Sequence, residues 1–149
     1  MISKILVPTD GSETANKSVK YATGLAKQLG ATITLLSVID ISVILAQPIS
    51  AIASPAHLQE TIENYMRQAA EACIKEGTKI CLENGIQPET VIRPGHPVEE
   101  IINEAVKSKA DLIVMGSQGR SALKAVILGS VTFGVIHKDS KTPVLVLRK

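Results

Sequence analysis

Gly116, Gly119, Gly129 and Ser130 are the residues whose types and spacing could do chemistry. They form a Gly-x2-Gly-x9-Gly-Ser pattern directly after the apolar run Asp111-Leu-Ile-Val-Met115. Glycines where a strand turns into a helix let backbone N–H groups approach an anion with no β-carbon in the way. A helix opening at Gly129-Ser130 adds unpaired N–H groups and the positive end of its dipole. A chain of phosphates is the ligand that suits this arrangement. With average glycine usage, such a match arises by chance in a chain of this length with odds of about half a percent. The plainer alternative, three turn glycines that only help a strand meet a helix, stays open at this point.

Positioning such a loop requires strands and helices in alternation, and the chain supplies them. Ile5-Leu-Val7 reads as the first strand, followed by Pro8-Thr-Asp-Gly11. Ser12 can cap a helix over 13–29 with Val19, Ala22, Leu25, Ala26 and Leu29 as its apolar stripe, and Gly30 ends it. The second strand, 31–39, is apolar enough to be buried on both faces. A long helix over 58–84 turns Ile62, Met66, Ala69, Ala70, Cys73, Ile74, Ile80 and Cys81 inward and stops at Gly85. A weaker strand over 89–93 carries Pro94 just beyond it and suits an edge. Pro97 opens a helix to Lys107, with His96 as its capping residue and Val98, Ile101, Ile102 and Ala105 inside. The strand 111–115, a helix from Ser130 to Lys138 and the strand Val144–Leu147 complete the series.

Strand and helix in alternation predict a doubly wound α/β domain, a parallel sheet with helices on both faces. The first and fourth strands are the most apolar and suit the centre. If they are neighbours, the strand order reverses between them, and ligands bind beyond the carboxyl ends of strands at such a point. Asp10 and Gly116 would then face one crevice. The last strand is wholly apolar and terminal, so an open edge there predicts a homodimer along Val144–Leu147. Residues 41–59 lack charge and contain Pro48 and Pro55, which predicts a variable loop acting as a lid or a subunit contact.

Composition excludes several classes of partner. The 149 residues suit one domain, 1–149, and the hydrophobic fraction of 45% supports a large aliphatic core. The only aromatic side chains are Tyr21, Tyr65 and Phe133, too few for a base-stacking platform. A net charge of +2 without a basic run argues against nucleic acid as the main ligand. Proline and polar residues within 41–59 argue against a membrane span. Cys73 and Cys81 lie more than two turns apart on one helix, too far for a bridge, and read as core thiols in a reducing compartment. The start of the chain runs into a strand without a leader, which predicts a cytoplasmic protein.

At the level of motifs the chain resembles the universal stress protein family. The likeness is carried by Ile5-Leu-Val-Pro-Thr-Asp-Gly-Ser12, Leu35-Leu-Ser-Val-Ile-Asp40 and Gly95-His-Pro-Val-Glu-Glu-Ile101. It is strongest in Ala110-Asp-Leu-Ile-Val-Met-Gly-Ser-Gln-Gly-Arg-Ser121, continued by Leu128-Gly-Ser-Val131 and closed by Thr142-Pro-Val-Leu-Val146. The resemblance implies a five-stranded parallel sheet of order 3-2-1-4-5, dimerisation through the last strand and, from the complete glycine signature, the ATP-binding branch. It places adenine against the main chain of Val38, with Pro8, Thr9 and Asp10 beside it and Asp10 accepting from the nucleoside. Gly116, Ser117, Gly119, Arg120 and Ser121 would wrap the ribose and phosphates. Gly129, Ser130, Val131 and Thr132 would meet the terminal phosphates, and any Mg2+ would arrive with them.

Catalytic machinery is not evident. No Gly-x4-Gly-Lys-Ser/Thr loop and no Gly-x-Gly-x-x-Gly occurs. His57, His96 and His137 are scattered without partner motifs, and no metal-ligand cluster is spaced for zinc or another ion. The leading expectation is an ATP-binding stress or energy-status signalling module that acts on a protein partner. A slow ATPase or nucleotidyl-transfer protein using the same crevice is the alternative, against which the missing base and metal carboxylates weigh. Gly119→Val is expected to abolish binding, by crowding the ligand and by a φ forbidden to a branched residue.

Overall fold

The computed structural model describes residues 1–45, 55–119, 128–138 and 141–148. Its centre is β1 (Lys4–Pro8), a strand whose side chains alternate between two apolar faces. Ile5 and Val7 point to one face, Leu6 to the other, and all three are buried. The remaining elements follow as α1 (Glu13–Leu29), β2 (Thr32–Asp40), α2 (Ile41–Leu45), α3 (Pro55–Glu83), β3 (Glu89–Gly95), α4 (Pro97–Lys107), β4 (Leu112–Gly116), α5 (Ser130–His137) and β5 (Val144–Leu147).

The five strands are all parallel and lie in the order β3-β2-β1-β4-β5. From β1 the chain therefore builds outward to β2 and β3, then crosses back to β4 and β5 on the other side. Their carboxyl ends diverge between β1 and β4. On one face Val19, Ala22 and Ala26 of α1 and Ile74 and Cys81 of α3 pack against Ile33, Leu35 and Val114. On the other, Ile101 and Ala105 of α4 and Val135 of α5 cover Leu6, Leu36, Ile113 and Met115. Close approaches fix these layers. A β-carbon on Gly77 would stand 3.0 Å from Leu35 Cδ1, and one on Gly134 of α5 would stand 2.6 Å from Val98 Cγ2 of α4.

Helix ends follow their local chemistry. Ser12 Oγ accepts from the Ala15 amide at 3.2 Å, and Gly30 closes α1 in a left-handed conformation with φ of 67°. Gly85 follows α3 with φ of 78°. His96 occupies the cap position of α4 but contributes no side-chain bond there; only its carbonyl serves, accepting from Glu100 N at 2.9 Å. The carboxylate of Asp111 takes the amide and hydroxyl of Ser3, both at 2.9 Å, and the amide of Lys4 at 3.0 Å. This ties the first residues of the chain to the start of β4. Beside the sheet, Arg93 of β3 approaches Glu104 of α4 at 2.7 Å, where the Glu104 side chain is only 6% exposed. The approach lies outside hydrogen-bond geometry, so the contact is chiefly one of charge.

Several expectations change. Residues 41–45 form a short helix rather than loop, because Asp40 Oδ1 accepts from the amide and hydroxyl of Ser42 and starts a turn. Residues 46–54 lie outside the described residues, and α3 begins at Pro55. Leu29 and Ala69 face solvent instead of the core. Tyr21, Tyr65 and Phe133 are exposed too, so the core is aliphatic throughout. Cys73 and Cys81 are buried free thiols. Burial pushes the Cys81 thiol upward, partly offset by its contact with the Thr23 hydroxyl. Among the described residues no helix is long and apolar enough to cross a membrane.

Candidate functional site

Beyond the carboxyl ends of β1, β2 and β4 lies a crevice of about 610 Å³. Each wall comes from a different element. Pro8, Thr9 and Asp10 leave β1, Leu36, Val38 and Asp40 come from β2, and Met115 ends β4. Pro97 and Ile101 of α4 close one side, and Leu128 with the first turn of α5 (Ser130 to Phe133) closes the other. Most of the wall is apolar, with its polar groups gathered at Thr9, Asp10, Asp40, Ser130 and Thr132 and at the glycine backbone. A largely apolar cleft with a few convergent polar groups is the usual form of a small-molecule site.

The turn into α5 is held from below. Gly129 N donates to Ser117 O at 2.6 Å, and Thr132 Oγ1 donates to Gly116 O at 2.7 Å. The Thr14 hydroxyl of α1 donates to Gln118 O. These bonds fix the loop after β4 against the helix start. Phe133 N reaches Gly129 O at 2.9 Å, so Ser130, Val131 and Thr132 are the residues whose amides precede the first helical bond. Gly129 supplies no capping side chain. Those amides, with the helix dipole behind them, favour negative charge at the crevice wall.

The glycines have distinct reasons. A β-carbon on Gly116 would lie 2.9 Å from Thr14 Cβ and 3.1 Å from its carbonyl carbon, so this glycine lets β4 end against α1. One on Gly119 would meet Asp10 Oδ2 at 2.6 Å. The glycines with left-handed φ are Gly11, Gly30, Gly85 and Gly95. Close approach of Asp10, not a φ forbidden to other residues, is therefore what position 119 requires. Asp10 is itself oriented by accepting from Ser12 N at 2.9 Å through Oδ1.

Pro8, Thr9, Asp10, Val38, Gly119, Gly129, Ser130, Val131 and Thr132 are thus brought together around one cavity. Gly116 and Ser117 lie beneath it: Ser117 is buried and serves through its backbone. Arg120, Ser121 and Lys124 fall outside the described residues. Sequence reasoning missed the apolar wall (Leu36, Ile101, Met115, Pro97, Phe133) and the acidic residue Asp40. Among the described residues no group of His, Cys, Asp or Glu is placed to hold a metal ion.

The universal stress protein family model matches residues 1–148. The chain belongs to that family. Universal stress protein MJ0531 of Methanocaldococcus jannaschii is 34% identical over 149 residues, covering 100% of this chain and 84% of that protein. Universal stress protein YxiE of Bacillus subtilis is 34% identical over 99% of this chain and 100% of its own. The solved structure of MJ0577, also from Methanocaldococcus jannaschii, superposes with a TM-score of 0.84 at 34% identity, over 100% of this chain and 97% of that one. A universal stress protein solved in complex with cAMP superposes with a TM-score of 0.70 at 27% identity, over 98% of this chain and 97% of that one.

Proposed function

We propose that this universal stress protein binds an adenine nucleotide, ATP, in the crevice beyond β1 and β4, and so acts as a nucleotide-dependent stress or energy-status signal to a protein partner. The observation that carries the reading is the start of α5. Three amides without helical acceptors, unobstructed by a capping side chain, border a mostly apolar cavity large enough for a nucleotide. The family relative that holds cAMP supports the same ligand class.

In this reading the base lies against Val38, Leu36 and Ile101, and Asp10 and Thr9 meet the sugar. Gly119, Gly129, Ser130, Val131 and Thr132 receive the phosphates, and Gly116 and Ser117 hold the turn into α5 in place; Arg120 and Ser121, outside the described residues, are proposed to contribute as well. Mg2+ would be carried by the phosphates. In this reading residues 1–149 form one nucleotide-binding unit in the cytoplasm, with neither nucleic acid nor membrane as partner.

Acid extraction of the purified protein followed by mass spectrometry should release adenine nucleotide in near-stoichiometric amount, and calorimetry on the stripped protein should show ATP binding. A crevice that stays empty in millimolar ATP overturns the reading. Steady phosphate release, lost in Asp10→Ala, would favour the hydrolytic alternative instead.

We also propose that two copies pair along β5. It is the outer strand of the sheet, and Val144, Leu145, Val146 and Leu147 are all only half-buried. An apolar edge strand presents unpaired backbone groups as well as apolar surface. Sedimentation at micromolar protein should give the dimer mass; a monomer there refutes the pairing.

A further inference from the structure

We propose that Asp40 selects the base, its carboxylate accepting a hydrogen bond from an exocyclic amine of the kind adenine carries. The inference rests on the nucleotide reading above and adds to it the residue that sets ligand choice.

The polar groups of the crevice come from three places: Thr9 and Asp10 after β1, Asp40 at the end of β2, and the turn that opens α5. Amides that favour an anion stand at the start of α5, which is bonded to the end of β4 through Gly129 N to Ser117 O and Thr132 Oγ1 to Gly116 O. Asp40 stands at the end of β2, two residues beyond Val38 and therefore on the same face of the sheet. Only β1 separates β2 from β4, so two strand spacings, about 10 Å, divide the two ends. That is comparable to the span of a nucleoside. A carboxylate repels phosphate and attracts a donor, so the β2 end is suited to the base and not to the phosphates.

Asp40 is also held ready. Its Oδ1 accepts from Ser42 N at 3.0 Å and Ser42 Oγ at 2.6 Å, which fixes the carboxylate where the chain turns into α2. Both of these bonds fall on Oδ1. Asp40 is a partly exposed residue in the wall of a mostly apolar crevice, so a ligand that covers its carboxylate must bring an N–H in place of solvent. Starting α2 accounts for Oδ1 alone and would be served equally by Asn or Ser. A base with a carbonyl in place of the amine would set oxygen against oxygen.

Calorimetry with ATP and with inosine triphosphate, on wild type and on Asp40 variants, separates these roles. The two ligands share sugar and phosphates and differ only at the base edge, where ATP carries the amine and an N1 acceptor and inosine triphosphate a carbonyl and an N1–H. The wild-type protein should prefer ATP by about tenfold or more, the worth of one charge-assisted hydrogen bond. Asp40→Asn keeps the turn and adds a donor for the carbonyl of inosine, so the preference should shrink to about threefold or less. Asp40→Ser, which caps without charge, gives the same comparison should Asp40→Asn fail to fold. Equal wild-type affinity for the two ligands, or an undiminished preference in the folded variants, overturns the inference while leaving nucleotide binding intact. Failure of wild-type protein to bind either triphosphate removes both readings together.

Discussion

Asp10 and Gly119 meet across the crevice so closely that a β-carbon at position 119 would lie 2.6 Å from Asp10 Oδ2. Real β-carbons essentially never come so near, so any side chain at 119 must displace the carboxylate. The glycine thereby fixes the position of an acidic group contributed by a different strand.

Gly119→Ala should therefore lower ATP affinity by about tenfold, as misplaced hydrogen bonds typically do, with a melting temperature close to that of wild type. Gly119→Val should abolish binding. The Asp10→Ala/Gly119→Ala double variant should lose less than the sum of the single losses, because both changes act on one carboxylate. Calorimetry on the four proteins gives the cycle; strict additivity would show that the two residues act independently.

Arg93 and Glu104 predict a different kind of loss. Removing the guanidinium leaves a carboxylate that is 6% exposed without its charge partner. Arg93→Ala should destabilise the fold by about 3 kcal/mol in urea unfolding. Arg93→Met combined with Glu104→Leu should recover most of that, since well-packed apolar residues commonly replace a buried ion pair at little cost. A negligible effect of Arg93→Ala would mean that the pair is screened by solvent.

Asp111 makes acid stability depend on the start of the chain. The Ser3 amide, then its hydroxyl and the Lys4 amide, hold this carboxyl below the usual carboxylate range. A depressed folded pKa contributes stability above the unfolded value, about 3.9, and loses it as pH falls through the folded value. Asp111→Asn should flatten the acid limb of a melting-temperature profile and leave its alkaline limb unchanged. An identical acid limb in the variant would refute the linkage.

Cys81 makes the opposite prediction at high pH. Burial raises its thiol above the ordinary value, so the unfolded chain releases this proton first and stability falls as pH rises past about 8.5. Buried Cys73 and Cys81 should both resist iodoacetamide in the native protein at pH 8 and react fully in denaturant. Rapid native labelling of either would contradict its burial.

Much of this architecture is legible in the sequence, for reasons visible in particular elements. Pro97–Lys107 and Val144–Leu147 have the limits expected of them because proline marks the helix start and an apolar run bounds the strand. The crevice position follows from the buried character of β1 and β4. Other features have no local signature. Leu36, Ile101 and Met115 line the cavity with the same residue types that fill the core, and only the fold separates wall from interior. Gly116 and Gly119 share a motif yet answer to different neighbours, Thr14 and Asp10. The helix at Ile41–Leu45 did leave a signal, the Asp40-Ile-Ser42 sequence that starts its turn, which the apolar monotony of the segment obscures.

Gly134 touches Val98, where α4 and α5, the two helical sides of the crevice, come together. A single methyl group at position 134 would act there as a wedge. It would prise the jaws apart from behind, and so weaken a ligand's grip from a place the ligand never reaches.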